Sequence, residues 1–438
     1  MLATLHRHRA TLIYAPPMLA TLALLWLARE QPLTYGPLRL DGLSLFFLLL
    51  AIATPLLRRD ATARTALATA LTTLAIGTTA TPIIALALAL ACAILLPHTA
   101  GRLPLFGAMA ALLLGYGLLV ARGALWYDGP SAGAALDSLA FWFVLLAATL
   151  PLWPLGAGQA SANNRFIFLY PLVRLYTLGP WNPGWALATA LFGGALALWH
   201  AWAAFRYHDS SARVTATLSA LALASFGLAS SAGIAAGCYA MLAGVVVGCT
   251  QPAHMRQEAG TPLRTIMRLA LLLVAVWSAV GAAISGGLAT LAGVAWAAGL
   301  LATLALILHN RQVNWPLAWL HGALAVFAPL VVAGLIAPTV AQLQAGLTPY
   351  GDVLIWPWVG MAFVNSAQTP VAVLPSIVVA TLMSVLVALL SLLSQLRAAY
   401  QKPATQLDLE EALPDQRWWQ LLRDEVPWLG RGRNREPE

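Results

Sequence analysis

Apolar runs of about 18 residues or more recur along almost the whole chain, and each is long enough to cross a ~30 Å hydrocarbon layer. Nothing else in the sequence narrows the possible folds as far. Of the 438 residues 60% are hydrophobic and 9% charged, so in water the chain would expose more apolar surface than a globule tolerates. The runs are continuous rather than alternating, which excludes an outer-membrane barrel. The expected fold class is all-α: a polytopic integral membrane helix bundle.

Helices are predicted near 10–28, 42–57, 65–80, 81–98, 104–121, 136–155, 165–179, 184–205, 214–230, 232–250, 269–287, 289–309, 316–338 and 371–396, about fourteen transmembrane helices in all. The third and fourth are divided only by residues 79–82, and the seventh is short and broken by Pro171. The charges test this layout. With the N-terminus inside, only Arg29, Arg39, Arg122 and Arg174 of the 24 lysines and arginines fall outside, so the other 20 lie inside (24 − 4). A wrong helix count would scramble that asymmetry. The layout implies a multi-pass protein of a bacterial-type inner (cytoplasmic) membrane with both termini cytoplasmic. It also explains the net charge of +8 without any need for nucleic acid.

Residues 1–398 are expected to form the transmembrane domain, and 399–438 a polar cytoplasmic tail. In the tail Trp418, Leu421 and Leu422 share a helical face, which suits a membrane surface or a partner subunit; a solvated tail stays open beside it. Residues 343–368, on the outside, carry Tyr350, Trp356 and Trp358, rings at home in the interface. The basic N-terminal segment 1–9 precedes a run without a small-residue cleavage site, so that run reads as a retained helix. Cys92, Cys238 and Cys249 lie in apolar runs without metal-type spacing and read as buried, inert thiols.

Few residues could carry chemistry. The stretch Arg39-Leu40-Asp41-Gly42-Leu43-Ser44-Leu45-Phe46-Phe47 stands where a polar loop turns into an apolar run, and Asp41 is one of very few acids beside a membrane-length segment. Its Asp-Gly-Leu-Ser-Leu element resembles the start of an early helix in antiporter-like subunits. These are the proton-conducting membrane subunits of respiratory complex I, of Mrp antiporters and of group 4 membrane-bound hydrogenases. Further elements resemble the family in the same order. Leu150-Pro151-Leu152-Trp153-Pro154-Leu155-Gly156-Ala157 is similar to its Pro-Leu-His-Trp-Leu-Pro-Asp-Ala element, which breaks a helix. Tyr170-Pro171-Leu172-Val173-Arg174-Leu175 resembles the next helix, which ends in Tyr-x-Leu-x-Arg. Gly193-Gly194-Ala195 leads through His200 to 208–216, which resembles the Asp-(Leu/Ile)-Lys-Arg-x-Leu-Ala-Tyr-Ser segment, with Ser225 and Gly227 in the helix that follows. The resemblance covers residues 35–310. It implies inverted repeats, here partly degenerate, and an outer-face Asp41, in agreement with the charge count.

The departures from the family matter more. It moves protons with a glutamate in one helix and lysines in two repeats, joined by water along the membrane midplane. Here residues 85–95 hold no acid, 143–149 no lysine, and 237–249 neither lysine nor histidine; the Asp-x-Lys-Arg lysine falls on Ser211 or Ala212. The chain's single lysine, Lys402, lies outside the membrane. A proton relay needs titratable groups held in low dielectric, where such residues are costly and are kept for function. The remaining candidates have plainer readings. His200 and His321 lie near helix ends and read as interfacial. Arg174 reads as a cap for carbonyls of the helix broken at Pro171, and Asp41 with Arg39 as the fixing of a helix start through its dipole. Asp209 and Arg213, at i and i+4, read as a surface pair. Water wires through Ser and Thr stay open.

The chain contains no Gly-x-x-x-x-Gly-Lys-Ser/Thr, His-Glu-x-x-His, Cys-x-x-Cys or Gly-x-Ser-x-Gly, so no cofactor, metal or catalytic activity of its own is expected. Gly281, Gly286 and Gly287 read as small contacts for close helix packing. The resemblance implies partners: other membrane subunits and a cytoplasmic module of an NADH:quinone oxidoreductase-like or hydrogenase-like complex, with the lipid bilayer around them. The expected role is that of a structural or coupling subunit with impaired or rearranged proton conduction. Two other classes stay open. A stand-alone secondary transporter of an uncharged or lipid-like solute would need an inverted repeat around a broken helix, for which Pro171 is the candidate. A membrane-embedded lipid-carrier transferase would need acids and basic residues in an outside loop, where 343–368 offers only Asp352.

Overall fold

A computed structural model describes residues 2–28, 32–58, 62–96, 102–128, 132–153, 162–175, 178, 182–206, 210–249, 262–285 and 288–309, with two short strands at 363–364 and 370–371. Through residue 309 every apolar run of the sequence has become a helix. In chain order these are α1 (Leu2–Leu27), α2 (Gly42–Arg58), α3 (Ala63–Gly77), α4 (Thr81–Ile94), α5 (Arg102–Ala121), the single turn α6 (Ala132–Ala135), α7 (Ser138–Thr149), α8 (Ala162–Arg174), α9 (Pro183–Arg206), α10 (Ser210–Gly227), α11 (Ser231–Cys249), α12 (Pro262–Ser285) and α13 (Ala289–His309). The helices expected at 316–338 and 371–396, and the tail from 399, lie outside the described residues, apart from Val371 in a strand. Among the described residues three helices, within Ala10–Leu27, Leu103–Ala121 and Pro183–Arg206, are long and apolar enough to cross a membrane unaided; the apolar stretches of the others, such as Leu271–Ala283 and Thr290–Leu306, are shorter. The protein is a multi-pass membrane protein.

Local chemistry explains the ends. Thr62 caps α3 by accepting from the Thr65 amide, Pro82 stands in the first turn of α4 and Pro183 opens α9, positions where a missing N–H leaves no bond unmade. At the far end of the α3–α4 pair, the Arg64 guanidinium donates to the Ile94 carbonyl (2.6 Å) and satisfies the end of α4. The expected helix over 136–155 is shorter than its apolar run. Asp137 caps α7 through the Ala140 amide (2.9 Å), and after Thr149 the chain tightens into one 3₁₀ turn, Leu150–Leu152, then extends at Trp153. Pro151 sits at the start of that turn, where it lacks the N–H that an α-helix would use.

The region expected as a polar loop before Asp41 is instead a hairpin of β1 (Leu33–Tyr35) and β2 (Leu38–Leu40). Its two-residue connection begins with Gly36 at φ +56°. Of the two favoured hairpin turns only the one with a positive φ at the first position alone accepts Pro37 next. The break between α3 and α4 runs alongside: the Thr79 amide donates to Pro37 O (2.9 Å), and the Tyr127 amide to Thr79 O (3.0 Å). Hairpin, break and the loop after α5 thus form one hydrogen-bonded frame at one end of the bundle. A second small hairpin pairs β3 (Phe363–Val364) with β4 (Pro370–Val371).

Inside, α2 is buried over its whole length from Gly42 to Pro55, as an all-apolar helix must be. Short α8 packs against α2, α4, α5, α7, α10 and α11, so it sits at the centre. Behind it α9 to α13 close a ring, α13 returning onto α9. The closest approach is between α9 and α10. A Cβ on Gly193 would run into the Ala224 backbone, and one on Gly227 into the Ala190 backbone. Of the glycines expected to mediate packing, Gly286 and Gly287 lie outside the described residues. The observed backbone crossing uses Gly193 and Gly227.

Candidate functional site

Beside the β1–β2 hairpin, at that end of the bundle, lies a buried ion pair between two residues 133 positions apart. Arg174, 1% exposed, closes α8, and Asp41, 2% exposed, opens α2. The guanidinium meets the carboxylate end-on, Nη1 to Oδ2 at 2.8 Å and Nη2 to Oδ1 at 3.2 Å, the fork geometry that distinguishes arginine from lysine. Nη2 also donates to Ser44 Oγ (2.7 Å), and Nε and Nη2 donate to the Tyr170 hydroxyl (3.2 and 3.0 Å). Tyr170 in turn donates to Ile76 O (3.1 Å), and the Tyr127 ring lies 4.5 Å from the guanidinium carbon. Burial pushes the Tyr127 phenol up, so it stays neutral beside the cation.

Each member is positioned for a local reason. Asp41 Oδ1 accepts the Ser44 amide (2.8 Å), so it caps α2 while it holds Arg174. The i, i+4 spacing stacks Tyr170 and Arg174 on one face of α8. Pro171 lies between them, and α8 continues through it to Arg174. The expected helix break at Pro171 is therefore corrected: the packed surroundings hold this helix together, and the Tyr116 hydroxyl donates to Pro171 O (3.1 Å) near its end. The break that exists is at Leu150–Leu152, one element earlier. Arg174, expected on helix carbonyls, goes to Asp41, Ser44 and Tyr170. Sequence proximity could suggest Tyr170, four residues back, but not Asp41 and Ser44, which stand at the start of a distant helix.

The outer-face charges of the sequence layout meet at this same end. Arg39 approaches Asp41 (3.8 Å) and Asp128 (3.6 Å), and Arg122 pairs with Asp137 at 2.6 Å. Among the described residues all three acids are engaged by arginine. None of the described helices carries an Asp, Glu or Lys at any position.

His200, expected near a membrane interface, is fully buried within the bundle. Trp199 and Trp202 occupy the exposed side of α9, while the imidazole turns inward to the 3₁₀ turn. Its Nε2 lies 2.6 Å from Leu152 O; a carbonyl oxygen only accepts, so this nitrogen carries the proton. Replacing His200 by Leu leaves that buried carbonyl without its donor, with an expected loss of about 1–3 kcal/mol. Thermal unfolding in detergent reads the loss, and His200→Gln, which keeps a side-chain N–H, should recover part of it. Arg213 lies in α10, half-buried; Asp209 and His321 are outside the described residues.

Several hydroxyls in the helix interiors are committed to the backbone, while the buried Ser278 hydroxyl in α12 has no hydrogen-bond partner among the described residues. Thr54, Thr72, Thr189, Ser219 and Thr303 each donate to the carbonyl four residues back, at 2.7–3.0 Å. Their single hydrogens are thereby taken. No group of three or more His, Cys, Asp or Glu residues suited to a metal occurs among the described residues.

No protein-family model matches the sequence, and no curated protein matches it. Solved structures do. A chain in the structure of the Mrp complex from Dietzia sp. is 14% identical with a TM-score of 0.58, over 80% of this chain and 96% of that one. A chain of the membrane-bound sulfane sulfur reductase, an archaeal respiratory membrane complex, is 16% identical with a TM-score of 0.57, over 93% of this chain and 94% of that one. At such identities the likeness is one of fold, and it is the fold to which the Asp-Gly-Leu-Ser element, the Tyr-x-x-x-Arg helix and their order along the chain point: that of an antiporter-like membrane subunit.

Proposed function

We propose that the protein is a structural or coupling subunit of a larger ion-translocating or redox-coupled membrane assembly and does not conduct protons on its own. One observation carries this reading: no Asp, Glu or Lys stands in any described helix, so the titratable axis that a relay requires is missing there. The committed hydroxyls support it, since a hydroxyl that donates to its own helix must break that bond before it can pass a proton on. Arg174 stays charged throughout the accessible pH range and cannot serve as a relay group. The similar chains come from complexes of several subunits, one an Mrp complex and one a respiratory membrane complex, which supports other membrane subunits as partners; a cytoplasmic module is part of the proposal. The charge distribution supports an inner membrane with the Asp41–Arg174 end outside. Three of the four arginines counted outside are paired there with acids, so the uncompensated positive charge is still more one-sided than the residue count.

The test is proton flux into proteoliposomes that hold this protein alone. The expected result is flux no higher than that of empty vesicles. Robust uncoupler-sensitive acidification would sink the reading and favour a rearranged path, with His200 the first residue to replace.

A further inference from the structure

Between α7 and α9 lies a groove of about 450 Å³ that the ion-pair site does not use. Trp142, Leu146, Trp153, Phe192, Leu196 and Trp199 form its walls. The rings of Trp142, Trp153, Phe192 and Trp199 are about half exposed, so the groove opens sideways from the bundle. Its one hydroxyl, that of Thr149, is donated to Leu146 O (3.1 Å), and the indole N–H groups of the three tryptophans are the only other polar side-chain atoms of the lining. A polar solute finds little to bind. A hydrocarbon chain loses nothing by entering, and hydrocarbon is the solvent on this side of a membrane helix.

The groove also has a charged end. Along the exposed side of α9 the ring of Trp199 stands 6.1 Å from that of Trp202, and the guanidinium carbon of Arg206 lies 5.3 Å over the Trp202 ring. Positions 199, 202 and 206 follow helical spacing, so groove, aromatic ladder and arginine form one continuous stripe. Arg206 is exposed and closes α9. Since α9 begins soon after Arg174 and rises ~36 Å over its length, Arg206 lies at the end remote from the Asp41–Arg174 site. Twenty of the basic residues are assigned to that side (24 − 4), where anionic headgroups attract them. A guanidinium fixed above a ring is well suited to the fork-like recognition of a phosphate.

We propose that the α7–α9 groove is a phospholipid site: it holds an acyl chain of an anionic lipid, whose phosphate pairs with Arg206. The site is independent of whether the subunit conducts protons.

Native mass spectrometry of the full-length protein, titrated with phosphatidylglycerol or with phosphatidylcholine, tests it. The unmodified protein should retain one phosphatidylglycerol, bound several-fold more tightly than phosphatidylcholine. Arg206→Gln should lose about fivefold in affinity for the anionic lipid and leave the zwitterionic one unchanged. Ala195→Phe, at an exposed position in the groove wall, should reduce both lipids without a shift in melting temperature. Equal binding of the two lipids, or lipid retention unaffected by Ala195→Phe, would overturn the proposal and leave only annular contact. A photoreactive side chain at position 195, activated in native membranes, gives a second decision. A lipid adduct supports the site, and a protein adduct means that a partner helix covers the groove instead.

Discussion

Arg174→Leu is expected to destabilise the protein by about 3–5 kcal/mol, because it strands a buried carboxylate. Asp41 is 2% exposed, and both its oxygens take an N–H from the guanidinium. Without Arg174 it loses the bidentate charge partner, and the Nε of Arg39 at 3.8 Å is too far to replace it for a carboxylate this buried. The same substitution takes a donor from Ser44 and two from the Tyr170 hydroxyl, so the start of α2 and the end of α8 loosen together. The measurement is thermal unfolding in detergent followed by size-exclusion chromatography, with Arg174→Leu far below the unmodified protein. The double variant D41L/R174L decides the cause. Removing both charges should recover much of the loss, since a buried pair exchanged for apolar residues is often close to neutral. If the two single losses simply add, the pair is not what holds this end together. Arg174→Lys should fall in between: it keeps the charge but neither the fork nor the stacking on Tyr127.

The second large effect belongs to the α9–α10 crossing. Gly193→Leu is expected to abolish monodisperse protein altogether, and Gly193→Ala to lower stability by about 1–3 kcal/mol. A Cβ at Gly193 meets the Ala224 amide nitrogen and Cα as well as Ala220 O, all of them backbone, which cannot turn aside as a side chain can. Gly227 faces the Ala190 backbone in the same way, so the two glycines bring two main chains together, and packing of that closeness is what membrane helices use in place of a hydrophobic drive. Gly117 is the control. Nothing lies within 4 Å of a Cβ there, and alanine should be neutral or raise stability by up to about 1 kcal/mol through its better helix propensity. Equal melting temperatures for Gly193→Ala and Gly117→Ala would refute the crossing.

Hydropathy and charge carried much of this protein into view. Apolar runs long enough for a bilayer leave helices as the only structure that satisfies the backbone, and the described ones through residue 309 lie where those runs do. The cap at Asp41 was also legible, because a carboxylate just before a helix is a local matter. So was the lack of Asp, Glu and Lys in the described helices, since an absent residue type cannot be restored by folding. The sequence alone could not decide which residues meet. Asp41 and Arg174 read as separate helix ends until α8 packs against α2, and His200 reads as interfacial until rotation about α9 turns it inward and leaves Trp199 and Trp202 outside. Pro171 has the local signature of a break, yet α8 runs through it, because its neighbours on six other helices hold it in place. The placement of the described helices was a one-dimensional property of the chain. The ion pair, the buried histidine and the glycine crossing are contacts between distant segments, and only the packed bundle brings those segments together.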